Sequence, residues 1–412
     1  MNKTLPRKEI TLSRVTEITI ILMLLHNIPI VGNYTPASIY GFLVLLMYAL
    51  LLFEWNKGLH ANISSCFKII GVLILVFITD SIFANQFLIK NAYGLMQLLL
   101  YPFLGMLLLK YDFGKTYARL FWVVLLSYVI TSITTYFGCQ LVPNASRILA
   151  STTMVEESGM ENLIKNLNIA GFSEIYTIAL ITPLIVMMMR RGTMNYIIGS
   201  FVLFAFIIGV IEAQYTTALF VCVLSLLLFF LPKNYSRKKY ISSFLFLTIL
   251  CSFGLFLISE LLTYLSSIME SSFVGDRLSD LSSVLSGNQD DVDNNSDMMK
   301  RRDIYLQSIE TFLSHPLGAW DQKATGGHSF ILDSLARFGV LGVVLIGVMY
   351  KRIYTNFIKP FRMNADYGYA IISFFWVIFL AIVNPNPNIL FVCFILPLFY
   401  RYSIGRLHKL TL

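Results

Sequence analysis

Residues 169–189 read Ile-Ala-Gly-Phe-Ser-Glu-Ile-Tyr-Thr-Ile-Ala-Leu-Ile-Thr-Pro-Leu-Ile-Val-Met-Met-Met, followed at once by Arg190-Arg191. A single carboxylate, Glu174, interrupts a run long enough to cross a hydrocarbon layer about 30 Å thick, which takes roughly 20 apolar residues. A water-soluble helix keeps one polar face; this run has none. The whole chain follows suit. Its 412 residues are 57% hydrophobic and 13% charged, against about 45–50% and about 25% in soluble domains. Such a surplus of apolar surface excludes a cytosolic enzyme, a disulfide-built secreted scaffold and a disordered chain. The reading is an all-α polytopic membrane protein.

Walking outward gives about twelve candidate spans, at 16–32, 38–54, 66–84, 91–109, 119–138, 169–189, 195–212, 214–231, 240–259, 328–349, 367–383 and 389–402. The seventh and eighth are separated only by Glu212-Ala-Gln-Tyr-Thr-Thr217, which demands a very tight turn, and the twelfth is short. Residues 1–259 thus carry spans one to nine with a smaller outer loop at 139–168, residues 260–327 form a large outer loop, and 328–412 carry the last three spans. The formal charge of +8 does not point to nucleic acid, because the basic residues fall in short clusters between apolar runs. With the N-terminus placed in the cytoplasm, those clusters (Lys3 to Arg14, Lys57/Lys68, Lys110 to Arg119, Arg190/Arg191, Lys233 to Lys239, Lys351 to Arg362, Arg401 to Lys409) all fall inside, as the positive-inside rule requires. An even number of spans then returns the C-terminus to the cytoplasm. The N-terminal basic residues precede an apolar run without a small-residue cleavage site, so that run is expected to be the first span rather than a signal peptide.

The five cysteines, Cys66, Cys139, Cys222, Cys251 and Cys393, show no paired spacing, and neither a metal site nor a disulfide framework is expected. Asp291, Asp293 and Asn295 imitate the opening of a calcium loop, but Ser296 and Arg302 stand where such a loop needs Gly and a bidentate Glu. The acidic stretch 288–297 therefore reads as a solvated linker. No metal and no cofactor is expected.

Ionisable groups within spans are costly in lipid and are functional candidates for that reason. Asp80, Glu174, Glu212, Asp333 and Arg337 qualify. Asp333 and Arg337, four apart on one helix, can neutralise each other, which favours a structural role. Asp80 and Glu174 lie near the outer ends of their spans, where they can line a cavity or reach to the interface. In the large loop, Ile304, Tyr305, Ile309, Phe312 and Leu313 recur at helical spacing and stop at Ser314-His315-Pro-Leu-Gly318. The expectation is an amphipathic helix lying across the mouth of the bundle. Gly326-Gly327 then frees the backbone to turn, and His328 stands at the outer N-terminus of the next span, where free amides and the helix dipole favour an anion.

Three stretches gather in this region: Arg301-Arg-Asp-Ile-Tyr305, His315-Pro-Leu-Gly318, and Gly326-Gly-His-Ser-Phe-Ile-Leu-Asp-Ser-Leu-Ala-Arg-Phe-Gly339-Val-Leu-Gly342. Over residues 301–345 the chain resembles the O-antigen polymerase and O-antigen ligase superfamily of membrane glycosyltransferases, the Wzy and WaaL types, and is closest to the Wzy polymerases. Where that family carries Ser-Arg at the outer end of a middle span, this chain has Gln214-Tyr-Thr-Thr217. The resemblance implies a GT-C-like bundle in a bacterial inner membrane. It implies transfer of a growing glycan from undecaprenyl pyrophosphate to a new lipid-linked repeat unit, with the bilayer, a flippase and a chain-length regulator as partners. In that chemistry His328 is the candidate general base, and Arg301, with Arg302 or Arg147, the candidate clamp on the departing pyrophosphate; Arg277 is a weaker basic candidate. A ligase is the alternative within the superfamily. A lipid-linked oligosaccharide flippase is the alternative outside it, though no internal repeat of the kind transporters show is visible.

Overall fold

The computed structural model describes residues 13–56, 68–69, 71–76, 78–79, 89–111, 115–149, 160–230, 242, 297–320, 325–361 and 367–410. Every regular element among them is helical. In chain order these are α1 (Arg14–His26), α2 (Pro29–Gly32), α3 (Ala37–Asn56), α4 (Ile89–Lys110), α5 (Lys115–Leu141), α6 (Ala145–Ile148), α7 (Glu161–Asn166), α8 (Phe172–Arg190), α9 (Tyr196–Glu212), α10 (Thr216–Leu226), α11 (Asp297–Ser314), α12 (Phe330–Ile353), α13 (Tyr367–Val383) and α14 (Leu396–Leu410). Three helical stretches, Lys115–Leu141, Phe172–Arg190 and Phe330–Phe361, are long and apolar enough to cross a membrane, and six shorter apolar helices accompany them.

Helix α8, which carries the apolar run 169–189, is the axis of the bundle: every residue from Ile175 to Met189 is buried. A helix apolar on all sides needs protein or lipid on all sides, and here α9, α10 and α13 supply much of that packing. The peripheral helices keep an exposed apolar side, as at Ile197, Phe201 and Phe204 of α9. Between lipid-solvated helices the gain comes from close packing rather than from water exclusion. Accordingly Gly209 of α9 lies directly on Ser132 of α5, and Gly105 of α4 on the carbonyl of Cys393.

Local chemistry sets the helix ends. Ser13 accepts from the Thr16 amide at 3.2 Å and Asn195 from the Ile197 amide at 2.8 Å, each supplying one acceptor to the orphan donors of a first turn. The first span is shorter than the sequence suggested. It stops at His26, because Pro29 pushes Ile28 into an extended conformation (φ −103°, ψ 141°), and Pro29–Gly32 is a separate turn. The tight turn expected after Glu212 is present: Gln214 takes a left-handed conformation (φ 60°) and α10 begins at Thr216. The last span is longer than expected, running from a wide π-turn at Phe391–Ile395 through α14 to Leu410. Span 66–84 is described only in pieces, and span 240–259 lies outside the described residues except for Ser242.

The helices sort their ends cleanly. At one end, Glu17 of α1 pairs with Arg119 of α5 at 2.9 Å, Arg190 donates to the carbonyl of Leu228, and Arg401 donates to that of Leu109. At the other, Asn33 donates to the Lys165 carbonyl, Tyr215 to that of Ser146, and Tyr305 to that of Val383. The basic clusters that are described therefore share one end of the bundle, and the loops carrying the candidate site share the other.

Candidate functional site

The far end is built from four pieces: α11, the N-terminus of α12, the loop 384–388, and the N-terminus of α8 with the small helix α6. Ser329 is the N-cap of α12; its hydroxyl accepts from the Leu332 amide at 3.0 Å. Asp333, one turn in, folds back to accept from the Ser329 amide at 2.9 Å and takes the hydroxyl proton of Ser308, on α11, at 2.7 Å. Ser308 in turn accepts from the Gly326 amide at 3.1 Å. The Phe330 amide donates to the Asn384 carbonyl at 2.9 Å. His328 immediately precedes this lock and is exposed, with Gly327 beside it at φ 74° making the turn into the helix.

One expectation is corrected here. The ion pair foreseen between Asp333 and Arg337 is not formed: the carboxylate binds Ser308 and Ser329 instead, and among the described residues the salt bridge is Arg119–Glu17. Of the first-turn amides of α12, those of Phe330 and Leu332 are taken, by the Asn384 carbonyl and the Ser329 hydroxyl. A second correction concerns α11. It does not lie across the helix ends but runs beside α12 in the same direction, with Ser308 against Asp333 and Pro316 against Val340.

At that lower contact α12 is broken. Gly339 has φ 59° and ψ −141°, a conformation an L side chain adopts only with strain. In a continuous helix the carbonyls of Ala336 and Arg337 would accept from Val340 and Leu341. They accept instead from the amides of Ala319 and Trp320, at 3.1 and 3.0 Å, while the Val340 amide donates to the Pro316 carbonyl at 2.8 Å. Irregular backbone at this depth is tolerated when protein satisfies it, and the His315-Pro-Leu-Gly stretch does so. Gly318 (φ 101°) lets the two backbones meet: a Cβ there would lie 2.6 Å from the Arg337 oxygen.

Glu174, weighed as a cavity-lining acid, accepts from the Gly171 amide at 3.1 Å and so caps its own helix. Glu212 accepts from Gln140 Nε2 at 2.8 Å. Arg147 lies half-buried on α6, next to Ser146, whose hydroxyl donates to the Ala170 carbonyl and whose carbonyl accepts from Tyr215 at 2.9 Å. Arg301 and Arg302 stand in the second turn of α11, about one turn before Tyr305, whose hydroxyl fixes the helix to the end of α13. Asp80, Arg277 and the calcium-loop look-alike at 291–295 lie outside the described residues.

The sequence reading missed the loop Asn384-Pro-Asn-Pro-Asn388. It joins both helix N-termini: Asn384 holds Phe330, and Asn386 Nδ2 donates to Ser173 Oγ at 3.4 Å. Asn384 is buried, and its own Nδ2 has no partner among the described residues. A buried amide donor of this kind is usually satisfied by water or a ligand group. Alternating Asn and Pro is a turn signal that could have drawn attention to it.

No protein-family model matches the chain, and no curated protein matches it.

Proposed function

We propose that the protein is a polysaccharide polymerase of the Wzy type, and that its substrates are glycans carried on undecaprenyl pyrophosphate. The observation that supports this reading is the convergence of the three stretches on which the resemblance rests. Residues 301–305, 315–318 and 326–342 fold into one unit. Tyr305 is anchored to α13, Pro316 to Gly318 clasp the break at Gly339, and Ser308 joins Asp333 and Gly326. That end of the bundle is opposite the basic clusters. By the positive-inside rule it faces the periplasm or exterior, where lipid-linked repeat units are polymerised, with both termini in the cytoplasm of a bacterial inner membrane. Twelve spans and a GT-C-like arrangement belong to the same proposal.

The chemistry has two demands. An acceptor sugar hydroxyl on the incoming repeat unit attacks the anomeric carbon of the growing chain; a new glycosidic C–O bond forms as the bond to the lipid pyrophosphate breaks. His328, exposed beside the α12 cap, accepts the hydroxyl proton. The charge growing on the departing diphosphate is met by guanidinium groups, whose planar fork suits phosphate oxygens. Arg301 is the first candidate, with Arg302 or Arg147 completing the clamp.

Purified protein in lipid vesicles, given a synthetic undecaprenyl-pyrophosphate repeat unit, should form longer glycans that remain on the carrier. Formation of glycan on a different final acceptor would instead assign it as a ligase, and movement of the lipid across the bilayer without new glycosidic bonds would make it a flippase.

A further inference from the structure

Helix α11 presents two edges to its surroundings. Leu306, Ile309 and Leu313 are exposed on one, and the exposed Leu317 and Trp320 extend that edge beyond the helix end. Asp303, Gln307, Glu310 and Ser314 are exposed on the other. A solvent-facing helix has no use for the first edge, and a lipid-facing helix has none for the second.

The depth of the helix decides what meets them. Tyr305 is tied to Val383, the last residue of α13, and Phe330 to Asn384 just beyond it. Helix α13 has 17 residues, about 26 Å at roughly 1.5 Å per residue, close to the thickness of a bilayer core. Val383, Tyr305 and Phe330 therefore mark one boundary of that core. From Phe330 to Gly339, and equally from Tyr305 to Ser314, the chain descends about 14 Å on the same rise per residue. The tip at Pro316–Gly318, bonded across the break in α12, thus lies about halfway through the core. At that level α12 shows an exposed apolar flank of Val340, Leu341, Val343 and Val344, on a stretch long and apolar enough to span. Val340 donates to the carbonyl of Pro316, the neighbour of Leu317, so the apolar edge of α11 runs on into an exposed apolar flank that suits hydrocarbon.

We propose that residues 305–320 form a re-entrant wedge. Its apolar edge contacts the hydrocarbon chains of the outer leaflet, and its polar edge walls an aqueous groove that descends beside α12. The groove gives a polar headgroup a path below the membrane surface while its lipid chain stays in the bilayer. The inference rests on depth and packing and stands apart from the glycosyl-transfer reading.

Spin labels on single cysteines test it in the full chain reconstituted in phosphatidylcholine vesicles, with the native cysteines replaced. Labels at Leu306, Ile309, Leu313 and Leu317 should show a stepwise rise in collisions with oxygen over those with a water-soluble nickel chelate. The value at 317 should match a reference label at Val340, whereas Asn144 should read as aqueous. Labels at Gln307, Glu310 and Ser314 should stay open to the nickel chelate. A constant depth from 306 to 317, or nickel access at 317, overturns the proposal. Unaltered cysteines are kept in a second measurement. The fluorescence lost on Trp320→Phe should be quenched by lipids brominated midway along the chain and spared by aqueous acrylamide; the reverse result also overturns it.

Discussion

The hydroxyl of Ser308 donates to the carboxylate of Asp333 at 2.7 Å, and this contact joins a helix of the late loop to the span it accompanies. Both residues are buried. The carboxylate spends its other oxygen on the Ser329 amide, so one acid holds the loop helix and the helix cap together.

Ser308→Ala should therefore lower stability in detergent by about 1.5–3 kcal/mol, the range for losing a hydrogen bond to a charged group. Asp333→Ala should cost more, because it releases Ser308 and the Ser329 amide at once. The double variant should lose less than the sum of the two single losses, since the two residues share one interaction, while the Gly326 amide loses its acceptor only with Ser308. Strictly additive losses would show that the contact contributes nothing.

Glycines provide a sharper contrast. A methyl group on Gly339 would fall on the Pro316 carbonyl, at a left-handed φ of 59°. Gly347, two turns further along the same helix, has nothing within 4 Å of the position its Cβ would take. Gly339→Ala should sharply reduce the yield of folded protein, and Gly347→Ala should be neutral or slightly stabilising, because Ala is the better helix former by about 1 kcal/mol. Size-exclusion profiles and melting midpoints of the two variants, prepared side by side, decide the matter. Equal behaviour would mean that the clasp at 316–320 does not hold the break.

What was legible in the sequence follows from the kind of signal each feature leaves. Apolar runs bounded by basic residues leave a strong one, and helices such as Tyr196–Glu212 and Tyr367–Val383 fall where those runs are. The helix ending at Ser314 was equally plain from its periodicity and the following Pro and Gly. Partners were not legible. Asp333 and Arg337 have the right spacing to pair, but a serine twenty-five positions away outcompetes the nearby arginine for the carboxylate. The path of α11 was misjudged for a similar reason. An amphipathic pattern says that a helix has two faces, and not whether it lies along a surface or descends beside a span. That depends on Tyr305 finding Val383 and on Gly339 opening α12, both long-range events. Asn384 gave only a turn signal, because its role comes from its carbonyl.

Helix packing yields a prediction independent of the site. Gly105, in the last third of α4, meets the Cys393 carbonyl in the π-turn of the last span so closely that a methyl group would overlap it. The obstacle is backbone on both sides, and neither helix can yield by turning a side chain. Gly105→Ala should reduce stability by about 1–3 kcal/mol, as overpacking does, and Gly105→Leu should prevent assembly. Normal melting of both variants would mean that α4 does not make this crossing.

Orientation can be checked on exposed positions. Asn144 lies at the end that holds the candidate site, and Lys351 at the end that gathers the basic clusters; both are exposed. In intact cells a membrane-impermeant thiol reagent should label Asn144→Cys and leave Lys351→Cys unlabelled until the membrane is opened. The opposite pattern would move the site to the cytoplasmic face, away from any exported lipid-linked glycan.

The division of labour between His328 and Arg301 predicts unequal losses. A general base contributes about 10²–10⁴-fold, so His328→Ala should reduce polymer formation by about that factor and leave binding of the lipid-linked donor unchanged. Arg301→Ala should weaken donor binding as well as turnover, because a guanidinium that clamps the diphosphate acts before the reaction and during it. Arg301→Lys should restore part of the binding and less of the rate, since an ammonium supplies charge without the bidentate fork. Ser308→Ala leaves both groups in place and is the control for loss of local structure. Polymer made by each variant, divided by its folded amount and set beside its affinity for the carrier-linked repeat unit, separates the roles. If His328→Ala polymerises at the wild-type rate, the proton is accepted elsewhere. If Arg301→Ala changes neither binding nor rate, the diphosphate is held by other groups, and Arg147 on α6 becomes the position to substitute next.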